Sequence, residues 1–200
     1  MPQGRGTAWA VWDAATVLAL WISTPAFEAL LSELPPHPHV LELGAGTGLA
    51  GLAVAARLRE SPGLRVTITD LLEALPALQR NVDLNPALKD LVSVAACDWF
   101  DGHCRGMQAD VVLLTDCAWL LHLVAPLVAT LDAACKCGIT ILVHQTRSTA
   151  VDDLLWAELS RHGFSWVVQA QPPGAESSTA HVYILRRVRE HRDVDLAIQP

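Results

Sequence analysis

The sequence predicts an α/β fold: a doubly wound, mostly parallel sheet with helices on both faces and an antiparallel final strand. Three observations predict it. Short apolar or β-branched runs alternate with helical patterns along the chain, which is the rhythm of βαβ units. Some of these runs, such as Val111-Val112-Leu113-Leu114, are apolar without alternation, which suits strands covered on both faces. A glycine cluster, Gly44-Ala45-Gly46-Thr47-Gly48, falls where a strand ends and a helix begins.

Residues 11–34 read as helical, with Trp12, Ala15, Leu18, Ala19 and Ile22 on one face at spacings of three and four. Pro35-Pro36-His37-Pro38 stops that helix. Val40–Leu43 is the first strand and runs into the glycine cluster. Leu49–Arg59, rich in Ala and Leu, is helical. Val66–Asp70 is a β-branched strand that ends in an acid. Glu73–Leu84 is helical, with Pro76 tolerated in its first turn. Val92–Ala96, Val111–Thr115 and Ile139–His144 are strands, and Leu120–Ala134 is a helix between the last two. A helix over Ala150–His162 follows, then strands over Ser165–Gln169 and His181–Leu185 on either side of Pro172-Pro173-Gly174. With no helix between them, these two form an antiparallel hairpin at one sheet edge. The chain reads as a single domain: an N-terminal helical segment (1–36), a core of strands and helices (37–187) and a polar tail (188–200).

Composition narrows the function. Hydrophobic residues are 52% of the chain and charged residues 18%, which excludes a disordered protein. Five Cys in 200 residues are too sparse and odd a set for a disulfide scaffold. The longest apolar stretch, Trp9–Ile22, contains Asp13 and falls short of the ~18 residues a membrane span needs, so no membrane association is expected. The start, Met1–Gly6, lacks the charged-then-apolar order of a signal peptide. The expectation is a cytoplasmic or nuclear monomer with free thiols, Cys97 and Cys117 among them as buried ones. A net charge of −7, with no basic block before the tail, argues against a nucleic-acid partner and for a basic one.

The glycine cluster is the most informative segment. Glycines there let the backbone turn tightly and approach a ligand, and the next helix offers unpaired N–H groups. The third glycine comes one residue too early for the dinucleotide fingerprint, and no Gly-Lys-Ser/Thr follows to make a phosphate loop. Glu42, just before the turn, suits a cationic ligand better than a pyrophosphate. Asp70 closes the second strand, where an acid accepts hydrogen bonds from both ribose hydroxyls of an adenosine ligand. The plainer reading of Asp70, an N-cap for the next helix, is weaker beside the glycine loop.

Glu42-Leu43-Gly44-Ala45-Gly46-Thr47-Gly48 with Thr67-Ile68-Thr69-Asp70 resembles the class I methyltransferases that use S-adenosylmethionine. More narrowly, residues 9–187 resemble the family-16, lysine methyltransferase-like group. Val11-Trp12-Asp13-Ala14-Ala15 is similar to the helix motif before the family's first strand. Asn81-Val82-Asp83-Leu84-Asn85 is similar to its N-x-x-x-N segment, and Asp98-Trp99 to its step after the third strand. Ala109–Asp116 is similar to its fourth strand. The resemblance implies a seven-stranded Rossmann-like sheet. It implies that Gly44, Ala45 and Gly46, with Thr47 and Gly48 beside them, line the methionine part of the cofactor. Asp70 and the adjoining Leu71 then hold the ribose side. Trp99 packs beside the adenine with Asp98 near its amine. Thr115 and Asp116 border the methyl group, and Trp12 covers the cofactor. One departure stands out. The family has Asp-x-x-Tyr or Asp-x-x-Phe after the fourth strand, and here it is Asp116-Cys117-Ala118-Trp119.

The implied reaction is N-methylation of a lysine in a non-histone protein such as a chaperone or translation factor. Asp116 would orient the amine, and Trp119 would wall the channel and attract an ammonium through its face. The plainer readings are an N-cap for Asp116 and a core aromatic at a helix start for Trp119. His144 and Arg147, at the end of the fifth strand, are further candidates for substrate contact. Two other readings stay open: a different acceptor (protein His or Arg, or a small amine), and a cofactor-binding scaffold without catalysis. Cys135-Lys136-Cys137 has the wrong spacing for zinc, so no metal is expected.

Overall fold

The chain folds in the order its strand and helix patterns dictate, and the computed structural model describes residues 10–187. Strands β1 (His39–Leu43), β2 (Arg65–Asp70), β3 (Val92–Ala96), β4 (Ala109–Thr115), β5 (Cys135–Gln145), β6 (Phe164–Val168) and β7 (Ala180–Arg187) form one sheet. Its seven strands run in the order β3-β2-β1-β4-β5-β7-β6. The first five are parallel, and β7 is antiparallel to both β5 and β6. The hairpin therefore folds back so that its second strand lies inside and its first, β6, forms the edge.

Helices cover both faces. On one face lie α1 (Asp13–Trp21), α2 (Pro25–Leu31), α3 (Leu49–Arg57) and α4 (Leu75–Asp83), whose apolar residues share a core with Val40, Val66, Ile68, Val111 and Ile141. On the other lie α5 (Leu121–Ala134) and α6 (Thr149–Arg161), packed on Leu41, Leu43, Val112, Leu114 and Leu142. Successive strand residues point to opposite faces, so β1 and β4 serve both cores. Leu18 and Trp21 of α1 are fully enclosed, at roughly 1.5–3 kcal/mol for each such side chain.

The structure departs from the sequence reading in three places. The helix over 11–34 is two helices bent by 74°, broken after Trp21 where Ser23 and Thr24 precede Pro25. Thr24 Oγ1 donates to the Trp21 carbonyl, and Pro25 starts the new helix where its missing N–H costs nothing. Cys97 is not a free thiol: it is bonded to Cys104, because the chain after β3 doubles back through a 3-10 turn (His103–Gly106). Cys117 is a free, buried thiol, and Cys135 is buried as well. Third, β5 is longer than Ile139–His144, reaching back to Cys135 as soon as α5 ends. The tail 188–200 and the side chain of Cys137 lie outside the described residues. No described helix is long and apolar enough by itself to cross a membrane.

Candidate active site

Strand order reverses between β1 and β4, each of which neighbours the other while their crossover helices lie on opposite faces. Such a switch point opens a crevice at the carboxyl ends of the strands. The loop after β1 enters it. Gly44, Gly46 and Gly48 hold φ of 65°, 55° and 78°, a left-handed backbone open to glycine at little cost. Around them, the Ala45 amide donates to the Thr69 carbonyl at 2.9 Å and the Gly46 amide to Asp70 Oδ2 at 2.8 Å. Asn81 Nδ2 on α4 donates to the Thr47 carbonyl at 2.8 Å, and Asn85 Nδ2 donates to the Asn81 carbonyl at 2.8 Å. The N-x-x-x-N segment thus pins the turn from outside. A Cβ on Gly44 would stand 2.9 Å from the Trp99 ring and 3.2 Å from Cys117 Sγ, so the backbone must be bare there.

Glu42 occupies a different place from the one expected. On β1 it shares the face of Val40, under α3, and is fully enclosed. Its Oε2 accepts the Gly51 amide at 2.9 Å, while its Oε1 is buried with no partner among the described residues. Burial pushes this carboxyl up to about 8, against the opposing pull of the Gly51 amide, with the Asp70 charge a smaller push upward. Glu42 therefore braces the turn from beneath, and its charge is largely suppressed at neutral pH. Gly51 is what makes this possible: a Cβ there would lie 2.5 Å from Oε2 and 2.4 Å from Ile68 Cγ2.

Asp70 ends β2 with Oδ1 taking the Leu71 amide at 2.7 Å and Oδ2 taking Gly46. It caps no helix, since α4 begins at Leu75. Burial raises its carboxyl above the ordinary value, partly offset by the Gly46 and Leu71 amides. Beyond it opens a pocket of about 460 Å³ walled by Leu71, Leu72, Glu73, Ala96, Asp98 and Asp101. Asp98 Oδ1 accepts the Phe100 amide at 2.9 Å, which turns the chain so that Trp99 lies against Gly44.

Across the crevice, Asp116 follows β4 with a left-handed backbone, φ 53°, its amide held by the Val143 carbonyl at 2.8 Å. It is not an N-cap: α5 begins five residues later, after Leu120. Its carboxylate is paired with Arg147, whose Nε lies 3.3 and 3.2 Å from the two oxygens while Nη2 also bonds Oδ2. The same guanidinium sits 4.9 Å over the Trp12 ring. Trp12, Arg147 and Asp116 thus form one stack at the mouth. Thr115 lies half-buried beneath. Cys117 Sγ donates to the Leu43 carbonyl at 3.1 Å, and burial pushes its thiol far up, so it acts as packing rather than as a nucleophile. Trp119 is not a core residue; it is 38% exposed, next in the chain to exposed Leu120 and Leu121, while exposed Phe100 lies with its ring 6.3 Å from that of His122 on α5. His144 turns away from the crevice, its Nε2 at 2.9 Å from Asp152 and its ring edge-on to Trp156.

This architecture has relatives of known kind. Residues 2–161 match the family model described as lysine methyltransferase. Protein-lysine N-methyltransferase EFM2 of Saccharomyces cerevisiae is 26% identical over 203 residues, covering 90% of this chain and 47% of that protein. Protein N-lysine methyltransferase METTL21A of Mus musculus is 35% identical over 143 residues, covering 69% of this chain and 60% of that one. EEF1A lysine methyltransferase 3 of Xenopus tropicalis is 33% identical over 131 residues, covering 65% and 54%. The chain spans about half the length of these curated relatives. Among solved structures, the CurJ carbon methyltransferase superposes with a TM-score of 0.64 at 18% identity, covering 88% of this chain and 55% of that one. The N-terminal domain of EvdMO1, solved in the presence of SAH and D-fucose, gives 0.58 at 18% identity, covering 90% and 85%. At these identities the two share the fold. With the family model spanning most of its length, this chain belongs to the lysine methyltransferase family.

Proposed function

We propose that this chain transfers a methyl group from S-adenosylmethionine to the side-chain nitrogen of a lysine in a protein. The observation that carries the reading is the pairing of two features across one crevice. A bare glycine turn with Asp70 beside it faces Asp116, and the Asp116 side chain is only 5% exposed. The crevice fits the cofactor. Gly44 leaves a cradle that a Cβ would fill, Asp70 stands at a strand end beside an open pocket, and Leu71 and Asp98 wall that pocket. Gly44, Ala45, Gly46, Thr47 and Gly48 would follow the methionine portion, Asp70 and Leu71 the ribose, and Asp98 and Trp99 the adenine. Thr115 and Asp116 would lie nearest the reacting carbon, with Trp12 above.

Bound there, S-adenosylmethionine supplies an activated methyl group on a sulfonium, so the protein's task is positioning. A lysine must arrive unprotonated, which costs roughly 4–5 kcal/mol at pH 7 for an ordinary amine. An apolar entrance lowers that cost by desolvation. Trp12 and Trp119 supply such walls, and the carboxylate of Asp116 accepts a hydrogen bond that aims the amine's lone pair. The exposed apolar side chains of Phe100, Trp119, Leu120 and Leu121 support a macromolecular acceptor, since small amines need no such surface. The relative named for EEF1A lysine methylation supports a protein acceptor too. Incubation with labelled S-adenosylmethionine and a cell extract tests this. A discrete labelled protein band is expected, absent with Asp116→Ala. No band, while the cofactor binds with micromolar affinity, would favour a small acceptor or a silent scaffold.

A further inference from the structure

The carboxylate that should receive a cationic amine is already neutralised. Arg147 lies between β5 and α6, its fork across both oxygens of Asp116 and its plane over Trp12. Its side chain is 35% exposed against 5% for Asp116, so the guanidinium lies on the solvent side of the acid. A guanidinium is charged at every accessible pH. The site therefore presents a hydrogen-bond acceptor whose charge is cancelled.

That matters because a bare carboxylate a few ångströms from an amine favours the ammonium form, which has no lone pair to give. An acid left alone beside the substrate would hold it in the unreactive state. We propose that Arg147 is a positioning residue that cancels the charge of Asp116, so that the carboxylate orients the substrate's amine without trapping it as an ammonium. The proton released by the incoming lysine goes to solvent at the mouth. This rests on the lysine methyltransferase reading.

Other titratable groups surround the pair. Glu42 and Asp70 lie on the glycine-loop side, and Cys117 directly follows Asp116 and feels all three acids. On α1, Asp13 accepts the Ser178 hydroxyl at 2.5 Å. Between β5 and α6, His144 is bonded to Asp152, which also takes the Thr146 hydroxyl. Among the described residues of these flanking elements, Arg147 is the cation in contact with the Asp116 carboxylate.

The test is the pH dependence of turnover with tritiated S-adenosylmethionine and whole-cell protein extract as acceptor, for the unsubstituted protein, Arg147→Met and Arg147→Lys. The rising limb of kcat reports the amine in the bound complex. In Arg147→Met it should move up by about one pH unit, cutting the rate at pH 7 about tenfold with recovery at pH 9. Arg147→Lys, which keeps the charge, should leave the limb in place. Superposable limbs in all three proteins overturn the inference while leaving the function intact. A shift in Arg147→Lys equal to that in Arg147→Met also overturns it, since geometry and not charge would then be at stake. No transfer by the unsubstituted protein at any pH overturns the functional reading and this inference with it.

Discussion

Asp116 holds a backbone conformation that most side chains avoid. At φ 53° it is in the left-handed region, which Asn and Asp tolerate better than Ala. Asp116→Asn and Asp116→Ala should both lower methyl transfer by about 100-fold, the scale of a lost positioning contact. Only Asp116→Ala should also lose about 1 kcal/mol of stability from the backbone, so thermal melts of the two variants separate chemistry from folding. Gly51 makes a second residue-level prediction. A methyl there would strike Glu42 Oε2 and Ile68, neither of which can retreat from a packed interior. Gly51→Ala should cost about 1–3 kcal/mol in denaturant unfolding and lower cofactor affinity by displacing the turn above. The Asp116 motif was legible in the sequence, but its pairing with Arg147 was not, because the two lie 31 residues apart and meet only when β4 and β5 pair.

At the scale of elements, periodicity and breakers carried most of the information. β3 falls on Val92–Ala96 as read. The glycine turn was legible because glycine takes its left-handed dihedrals at little cost, and three glycines fall there together. What supports it was less so. Glu42 looked like a ligand group in one dimension, yet strand alternation turns it under α3, where Gly51 leaves room. The break in the first helix was missed because apolar spacing continues through it, and Pro25 was outweighed by that pattern. The Cys97–Cys104 bond was missed because it depends on the path of the loop after β3, which pattern cannot give. Asn81 shows an element acting at a distance: α4 reaches the Thr47 carbonyl through one amide. Asn81→Ala should leave the fold intact, lose about 1 kcal/mol of hydrogen bonding, and weaken S-adenosylmethionine binding up to several-fold by calorimetry.

For the whole molecule, the buried acid beneath the turn sets a pH dependence. Glu42 is pushed from 4.5 to about 8 in the fold, so between those values the native state holds a proton that the unfolded chain has released. Stability from this group is full below about 4.5 and is lost as pH rises through about 8. Melting temperature should therefore decline across that window, and Glu42→Gln should flatten the decline. Cofactor binding acts on the same equilibrium. S-adenosylmethionine at 100 times its Kd should add about 2.7 kcal/mol of stability, and Asp70→Ala should abolish most of that gain. The measurement that tests the account most directly is the chemical identity of the methylated side chain. Labelled acceptor protein, hydrolysed to amino acids, should release its label as methylated lysine, and label released as methylhistidine, methylarginine or volatile methanol would contradict it.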